Sequence, residues 1–349
     1  MSIKNNIKIS KWMEGSGPES DIVISSRIRL ARNLMNFPFT HMMTQKQAEK
    51  IFEEVKETIE NNSVLAKDIE IIKIKDLSLI ERQVLVEKHL ISPALAENPE
   101  GAVFLTEDNS LSIMVNEEDH LRIQCLYPGL NLEKAWDINS KIDDLLEERL
   151  TFAFDEKKGY LTACPTNVGT GLRVSVMLHL PTLVMTQHIN RIFATIGQVG
   201  LTVRGLYGEG TEAIGNIFQI SNQITLGQRE EDIINNLKNV TQQIIDRERS
   251  ARDYLMKERS MHLKDIIGRA YGTLKHAYVV STKEAMELLS NVRLGVDFGL
   301  IEGIDRKLLN ELMILIRPAN IQKFYETELD EEQRDIKRAE LLRRYLGSM

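Results

Sequence analysis

The chain has 349 residues, of which 42% are hydrophobic and 27% are charged, and its formal net charge is −7. This composition is typical of a globular protein and excludes a disordered chain, and the length predicts two domains. The acidic balance argues against direct nucleic-acid binding, which favours a positive surface.

The first informative element is a predicted strand over residues 25–30, which read Ser-Ser-Arg-Ile-Arg-Leu. Side chains alternate along an extended chain, so Arg27 and Arg29 would share one face while Ile28 and Leu30 pack on the other. Two guanidinium groups on one face repel each other unless an anion lies between them. The strand therefore indicates an anion-binding face.

Alternating strands and helices are predicted as far as residue 228. Thr44 and Gln47 form a capping-box pattern ahead of an amphipathic helix. The apolar face of that helix would carry Ala48, Ile51, Phe52, Val55 and Ile59. Further strands are predicted over residues 103–105, 111–115, 121–125, 201–203 and 217–220. The short turn between the first two of these favours antiparallel pairing.

The pattern becomes helical after residue 228. Ser281 and Glu284 form a second capping-box pattern, and a last helix is predicted over residues 331–346. Its buried stripe would consist of Ile336, Ala339, Leu342 and Leu346. We therefore predict an α+β catalytic domain of residues 1–228 followed by a helical domain of residues 229–349.

Five arginines lie near predicted strand ends or glycine turns: Arg27, Arg29, Arg122, Arg173 and Arg204. A lone arginine is most often a solvated surface residue or a salt-bridge partner, but the grouping favours a site for this set. Planar guanidinium groups bind phosphate oxygens through paired hydrogen bonds. The five arginines together predict a polyphosphate site.

Carboxylates accompany these arginines. Residues 116–122 read Asn-Glu-Glu-Asp-His-Leu-Arg, which places Glu118 four positions before Arg122, and Glu209 lies in a glycine-rich segment after Arg204. Taken alone, Glu118 is better explained by an exposed acidic turn and Glu209 by a helix cap. Beside a phosphate site, however, carboxylates suit a cation. The combination indicates phosphoryl transfer to a basic group.

Common nucleotide and metal motifs are absent from the sequence. No G-x-x-x-x-G-K-[ST] occurs, and residues 208–210 lack the third glycine of the dinucleotide fingerprint. No closely spaced histidine pair or C-x-x-C is present, so we predict no metal held by the protein's own side chains. A Mg²⁺ bound mainly to phosphates would leave no such pattern.

Cysteine usage and hydropathy predict a cytoplasmic protein. The two cysteines, Cys125 and Cys164, cannot build a disulfide framework and fit a reducing compartment. Cys125 alternates with apolar residues and is expected in the core. No segment approaches the ~20 apolar residues that a membrane-spanning helix needs, and no apolar signal core follows the N-terminus. We therefore expect no membrane partner.

These segments resemble the phosphagen (guanidino) kinase family. The matching stretches are residues 25–29, 116–122, 164–171 and 204–222, which occur in that family's order. They lie within residues 21–227. Inside the family the chain is most similar to the bacterial protein arginine kinases, and there the similarity extends over the whole length.

The resemblance implies an antiparallel sheet flanked by helices, of the glutamine-synthetase catalytic type, with a C-terminal helical domain. It implies that the five arginines hold the phosphates of ATP and that Mg²⁺ is required. Glu118 and Glu209 would bind the acceptor guanidinium, one of them acting as a base, and Cys164 would lie beside it. Met177 stands where creatine and arginine kinases have a histidine, so we expect different adenine contacts.

Two further features separate this chain from kinases of small guanidines. Those begin with a helical domain, whereas here the first arginine motif begins by residue 25, so we expect a more open acceptor pocket. The C-terminal segment 334–339 matches the R-D-x-x-R-A motif of protein arginine kinases. That match implies that Arg334, Asp335 and Arg338 recognise phosphoarginine, although a charged helix face explains the spacing equally well.

The leading hypothesis is a kinase of arginine side chains in proteins. The alternatives are a kinase of free arginine or another small guanidine, and a non-catalytic adaptor that binds phosphoarginine. The resemblance also implies partners: a transcriptional repressor and misfolded proteins as substrates, a Clp chaperone-protease, a zinc-finger activator and a second copy in a homodimer. None of these partners follows from residue spacing.

Overall fold

The computed structural model describes residues 9–62, 66, 68–207 and 213–347, with the backbone alone at 206 and 207. Within these residues the strands are β1 (Val23–Arg32), β2 (Ile69–Lys73), β3 (Ala102–Thr106), β4 (Leu111–Val115), β5 (Leu121–Pro128), β6 (Phe154–Asp155), β7 (Gly159–Tyr160), β8 (Leu172–His179), β9 (Leu201–Tyr207) and β10 (Ala213–Asn222).

The α-helices of the same residues are α1 (Gln45–Glu60), α2 (Leu79–Glu87), α3 (Pro93–Glu97), α4 (Leu132–Glu147), α5 (Pro181–Met185), α6 (Ile189–Gln198), α7 (Glu230–Glu258), α8 (Ser260–His276), α9 (Thr282–Asp297), α10 (Arg306–Leu315), α11 (Pro318–Tyr325) and α12 (Glu331–Leu346). Short 3-10 helices span Lys11–Glu14, Thr40–Met42, Ile74–Asp76 and Pro165–Asn167. Among the helices so described, none is long and apolar enough to cross a bilayer.

Eight strands form one sheet in the order β2-β3-β4-β5-β1-β8-β10-β9, and every neighbouring pair is antiparallel. The predicted fold class, an antiparallel sheet flanked by helices with a C-terminal helical region, is confirmed. β1 lies in the interior of the sheet, between β5 and β8. Its arginines are therefore held by strand pairing on both sides.

Each face of the sheet has a different cover. The face that carries Ile28, Leu30 and Cys125 packs on α1, α4 and α7 in the main core. Cys125 is fully buried, as expected, and burial raises the pKa of its thiol to about 12. The opposite face contacts the C-terminal helices at one end, through side chains such as Met177 and Ile217. At the other end, Val103, Leu105 and Met114 pack against a smaller apolar cluster around α3. The part of the face between these covers, where the arginines lie, is open.

Local sequence signals placed several helices correctly. Thr44 and Gln47 form the predicted capping box of α1, and the hydroxyl of Ser281 accepts the Glu284 backbone N–H at the start of α9. α7 begins at Glu230, and its inner residues join the core of the sheet. The division into domains at residue 228 stays a prediction.

The predicted buried stripe of α12 was partly wrong. Ile336 is 42% exposed, whereas Arg338 is only 1% exposed and occupies the inner side of the helix with Ala339 and Leu342. Three oxygen acceptors surround the Arg338 guanidinium, so the cation can be buried where an apolar residue was expected. The helix is therefore rotated relative to a purely hydrophobic pattern.

A buried ion pair fixes the end of β1. Arg32 is 2% exposed and donates to the Asp143 carboxylate of α4 at 2.6 and 3.1 Å, and to the carbonyl oxygens of Ala31 and Thr170 at 3.0 Å. Its guanidinium carbon lies 3.5 Å from the ring centroid of Tyr160. These contacts join β1 to α4 and to the turn before β8.

Replacing Asp143 with alanine should lower the free energy of unfolding by about 3–5 kcal/mol, because Arg32 would remain buried without a counter-charge. Urea denaturation of the full chain measures this. Asp137 is the matched control, since it lies on the same helix with a 61% exposed side chain paired to Lys141. Asp137→Ala should change stability by less than about 0.5 kcal/mol. Equal losses in both variants would contradict the role of the buried pair.

Candidate active site

The open part of the sheet face forms a cleft of about 400 Å³. All five arginines predicted from the sequence line it: Arg27, Arg29, Arg122, Arg173 and Arg204. Glu118 and Cys164 line the same cleft. These residues come from four strands and two loops, so the fold brings together in space what the sequence separates by up to 177 positions.

Neutral acceptors orient two of the arginines. The Nε of Arg27 donates to Ser175 Oγ at 3.2 Å and its Nη2 donates to Gln219 Oε1 at 3.0 Å. Arg173 Nη2 donates to Ser221 Oγ at 3.2 Å. Hydroxyl and amide oxygens fix the direction of a guanidinium without cancelling its charge. Both guanidinium groups are thereby oriented in the wall of the cleft.

The arginines also lie close enough to repel one another. Burial, followed by the charges of Arg27, Arg122 and Arg173, lowers the pKa of Arg29. Burial, followed by the charges of Arg204 and Arg122, lowers the pKa of Arg173. The Nε atoms of Arg29 and Arg173 are buried without a hydrogen-bond partner in the described part of the chain. Such an arrangement suits a ligand with several anionic oxygens.

Buried polar contacts hold the loop between β4 and β5 in place. Asn116 has a positive φ of 59°, which turns the chain sharply. Asp119 is fully buried and accepts Asn33 Nδ2 at 2.6 Å and the Ala163 backbone N–H at 2.7 Å. The His120 backbone N–H donates to Asn33 Oδ1 at 2.9 Å. The end of β1, the acidic loop and the segment before Cys164 are thus joined at one point.

Two adjacent glutamates differ in their roles around Arg122. Glu117 has a side chain only 3% exposed, and its carboxylate receives Arg122 Nη1 at 2.7 Å and the Ser92 hydroxyl at 2.6 Å. Glu118 is 43% exposed and receives Arg122 Nη2 at 3.1 Å. Glu117 therefore holds Arg122 in place, whereas Glu118 stands at the mouth of the cleft. The residue pattern alone does not distinguish the two, and the family resemblance singled out only Glu118.

Other predicted residues have different positions. Cys164 is partly buried, and its Sγ lies 3.0 Å from Thr166 Oγ1. Glu209 lies outside the described residues. Met177 is 7% exposed and packs between the sheet and the C-terminal helices. The assignment of catalytic roles to Glu118, Glu209 and Cys164 stays a prediction.

The three C-terminal residues do not join the cleft but share one turn of α12. Arg338 Nε donates to the Ile316 carbonyl at 2.7 Å and its Nη1 donates to the Val280 carbonyl and to Asp335. Arg334 Nη1 donates to the Leu329 carbonyl at 2.8 Å. Arg338 is thus committed to structural contacts, while Arg334 and Asp335 are partly exposed.

A second cleft of about 370 Å³ adjoins the first and shares Arg27, Arg29 and Arg122 with it. His89 lies in its wall, and burial lowers the pKa of that imidazole to about 3, helped by the charges of Arg27 and Arg317. His89 is therefore neutral at physiological pH. Sequence reasoning missed this residue because no neighbouring pattern marks it.

Removing one cation should relieve repulsion while it weakens ligand binding. We expect Arg29→Met to leave the unliganded protein as stable as the parent or up to about 1 kcal/mol more stable, because like charges destabilise the compact state. The stabilisation by ADP and Mg²⁺ should largely disappear. Thermal unfolding with and without the nucleotide measures both effects. In the exposed control Arg149→Met the nucleotide should stabilise as in the parent. Strong destabilisation of unliganded Arg29→Met would contradict this account.

No cluster of three or more His, Cys, Asp or Glu side chains that could hold a metal ion occurs in the described ranges. The described cleft is instead dominated by cations. It suits a ligand that brings its own negative charge, and with it any divalent ion.

Comparisons with known proteins agree with this geometry. The model of the ATP:guanido phosphotransferase C-terminal catalytic domain matches residues 50–251, and that of the protein-arginine kinase McsB C-terminal domain matches residues 260–349. A protein-arginine kinase of Halothermothrix orenii is 53% identical over 99% of this chain and 100% of its own length. One of Halalkalibacterium halodurans is 54% identical over 96% and 94%, respectively.

A solved structure shares the fold. The crystal structure of lombricine kinase has a TM-score of 0.60 at 22% identity and covers 68% of each chain. At this identity the likeness concerns the fold alone, whereas the matches over nearly the whole chain establish descent. The chain belongs to the ATP:guanido phosphotransferase family and, within it, to the protein-arginine kinases.

Proposed function

We propose that the protein transfers the γ-phosphate of ATP to the guanidinium group of arginine side chains in proteins. The observation that carries this proposal is the sorting of charge in one cleft, with five arginines along its walls and Glu118 at its mouth. The relatives at 53% and 54% identity are named protein-arginine kinases, which supports the same class of acceptor.

The arginines bind and position the triphosphate. Their side chains approach from β1, β5, β8 and β9, so phosphate oxygens would be contacted from several directions. In phosphoryl transfer the reacting groups carry spread negative charge, and catalysis depends on positioning and on electrostatic stabilisation. The described side chains include no cluster that could hold a metal ion, so Mg²⁺ would be bound chiefly to phosphate oxygens. There it would neutralise part of the negative charge of the triphosphate.

Glu118 would orient the acceptor and take its proton. An arginine guanidinium has a pKa above ~12, so at neutral pH the attacking nitrogen has no usable lone pair. The Glu118 carboxylate can hold the planar group and accept the proton as the N–P bond forms and the bond from the γ-phosphorus to the ADP oxygen breaks. Phosphate binding to Arg122 would free Glu118 from its present partner.

The exposure of Glu118 favours a protein substrate. Its side chain is 43% exposed at the cleft mouth, where the long side chain of an arginine on another protein can reach it. A single base typically contributes ~10²- to 10⁴-fold to a rate, so positioning by the arginines would supply most of the acceleration.

A second proposed activity is recognition of phosphoarginine by α12. Arg334 and Asp335 are partly exposed on one turn, and buried Arg338 bonds to Asp335 from the inner side. A phosphoryl group would suit the Arg334 guanidinium and a guanidinium would suit the Asp335 carboxylate. This would be a binding site in addition to the catalytic one.

The wider setting rests on resemblance alone. We propose a cytoplasmic homodimer whose phosphorylated products, among them a transcriptional repressor and misfolded proteins, are directed to a Clp chaperone-protease, with a zinc-finger protein as activator. The proposed reaction in the cleft does not depend on these partners. Disproof of any partner would leave the proposed reaction unchanged.

Incubation with ATP, Mg²⁺ and a basic protein should produce acid-labile phosphate on arginine. Mass spectrometry at neutral pH measures it, because the N–P bond is lost in acid. Free arginine at the same concentration should be phosphorylated far more slowly. Phosphate found only on serine, threonine or tyrosine, or equal rates with free arginine, would contradict the proposal.

Glu118→Gln should reduce the rate of phosphoarginine formation by roughly 10²- to 10⁴-fold, because the amide cannot accept the proton. Affinity for ADP should be retained or increased, since the change removes a negative charge next to Arg122. Steady-state kinetics and calorimetry measure the two effects. An exposed control, Glu148→Gln, should leave both unchanged. A normal rate in Glu118→Gln would remove this residue from the mechanism.

A further inference from the structure

The second cleft receives a residue from the C-terminal helices. Arg317 lines it together with Arg27, Arg29 and Arg122 of the sheet. His89 lines the same cleft as Arg27 and Arg317, and after burial both guanidinium groups lower the pKa of its imidazole. A cation from the C-terminal region thus extends the charged wall formed by the sheet.

The backbone around Arg317 is held by specific contacts. Arg317 precedes α11 as its N-cap residue, and the Glu87 carboxylate of α2 accepts the backbone N–H groups of Ala319 and Asn320 at 3.0 and 2.9 Å. The carbonyl of Ile316 accepts Arg338 Nε at 2.7 Å. Contacts on both sides of Arg317 therefore fix where its side chain begins.

The surroundings of Arg317 favour an anionic ligand. Arg27, Arg29 and Arg122 are positive, and His89 is neutral at physiological pH. Glu87 also lies in the cleft wall, but its carboxylate accepts three donors from α11, including Asn320 Nδ2 at 2.7 Å. Those donors are neutral, so they orient the carboxylate without cancelling its charge, but the arginines of the same wall outnumber it. The remaining walls include the apolar side chains of Val86, Ile91, Pro93 and Met114.

We propose that Arg317 is a nucleotide-positioning residue, which joins Arg27, Arg29 and Arg122 in holding the polyphosphate chain of ATP. This rests on the proposed function, because it takes ATP as the ligand of the charged cleft. It adds that the nucleotide site is not confined to the sheet: a residue within the matched C-terminal region, 260–349, completes it.

The consequence is a physical link between the R-D-x-x-R-A segment and the nucleotide. Arg338 of that segment bonds to the carbonyl of Ile316, and Arg317 is the next residue. A ligand that shifts α12 would therefore also shift the backbone that carries the Arg317 side chain, and with it a contact to the nucleotide. Truncation after α7 would remove that side chain as well as the motif.

The test measures ADP binding to the full-length protein with Mg²⁺ by calorimetry. Arg317→Ala should weaken ADP roughly 10-fold, the effect of losing one charged hydrogen bond. Arg317→Lys should recover part of the affinity, because the charge is kept. The KM for ATP should rise in Arg317→Ala while kcat at saturating ATP and the KM for a protein substrate change less than twofold. A purely structural role of Arg317 would not raise the KM for ATP while leaving kcat and the KM for the protein substrate nearly unchanged.

Lys323→Ala is the matched control. Lys323 is a cation on the same helix α11, pairs with Glu81 at 3.0 Å and does not line the cleft. The Lys323→Ala variant should bind ADP with an affinity within twofold of that of the parent. Equal ADP affinity in Arg317→Ala and the parent would overturn the inference, as would an equal loss in Lys323→Ala. If Arg317→Ala unfolds, Arg317→Gln decides by the same measure. Failure of the parent to bind ADP would instead refute the proposed function.

Discussion

Mutual repulsion of like charges on one sheet face is the constraint on which the site depends. Arg29 faces Arg173 directly across the β1–β8 pair, and Arg27 and Arg122 lie close enough to lower the pKa of Arg29. Isolated side chains would separate in water. The strand pairing prevents this, so the sheet maintains an unfavourable arrangement that an anionic ligand makes favourable.

The remaining structure supplies the rigidity that such an arrangement needs. Arg32 is buried between Asp143 and two backbone carbonyls, and Asp119 accepts hydrogen bonds from both Asn33 and Ala163. These contacts involve the last residue of β1 and the residue just after it. They connect the arginine strand to the acidic loop and to the Cys164 segment, and none of them occupies a guanidinium or a carboxylate that lines the cleft.

Period-two alternation was enough to predict the shared face of Arg27 and Arg29, because strand geometry is local. Positions near predicted strand ends and glycine turns grouped the distant members of the arginine set, and the family resemblance implied that the set holds ATP. Neither could identify Glu117, His89 or Arg317, whose importance arises from contacts between segments far apart in the chain. Ile336 was misplaced because hydrophobicity alone does not reveal that Arg338 finds buried acceptors. Local pattern thus predicted the elements, and tertiary contacts determined the rest.

The position of Glu118 on the rim has a consequence for the choice of targets. A residue at the entrance would meet the far end of an incoming arginine side chain, because the five arginines behind it line a cleft that suits phosphate oxygens. An arginine whose side chain is held by contacts within its own protein could not extend far enough to reach Glu118. Local flexibility of the target, more than the sequence around its arginine, would then decide which proteins are phosphorylated.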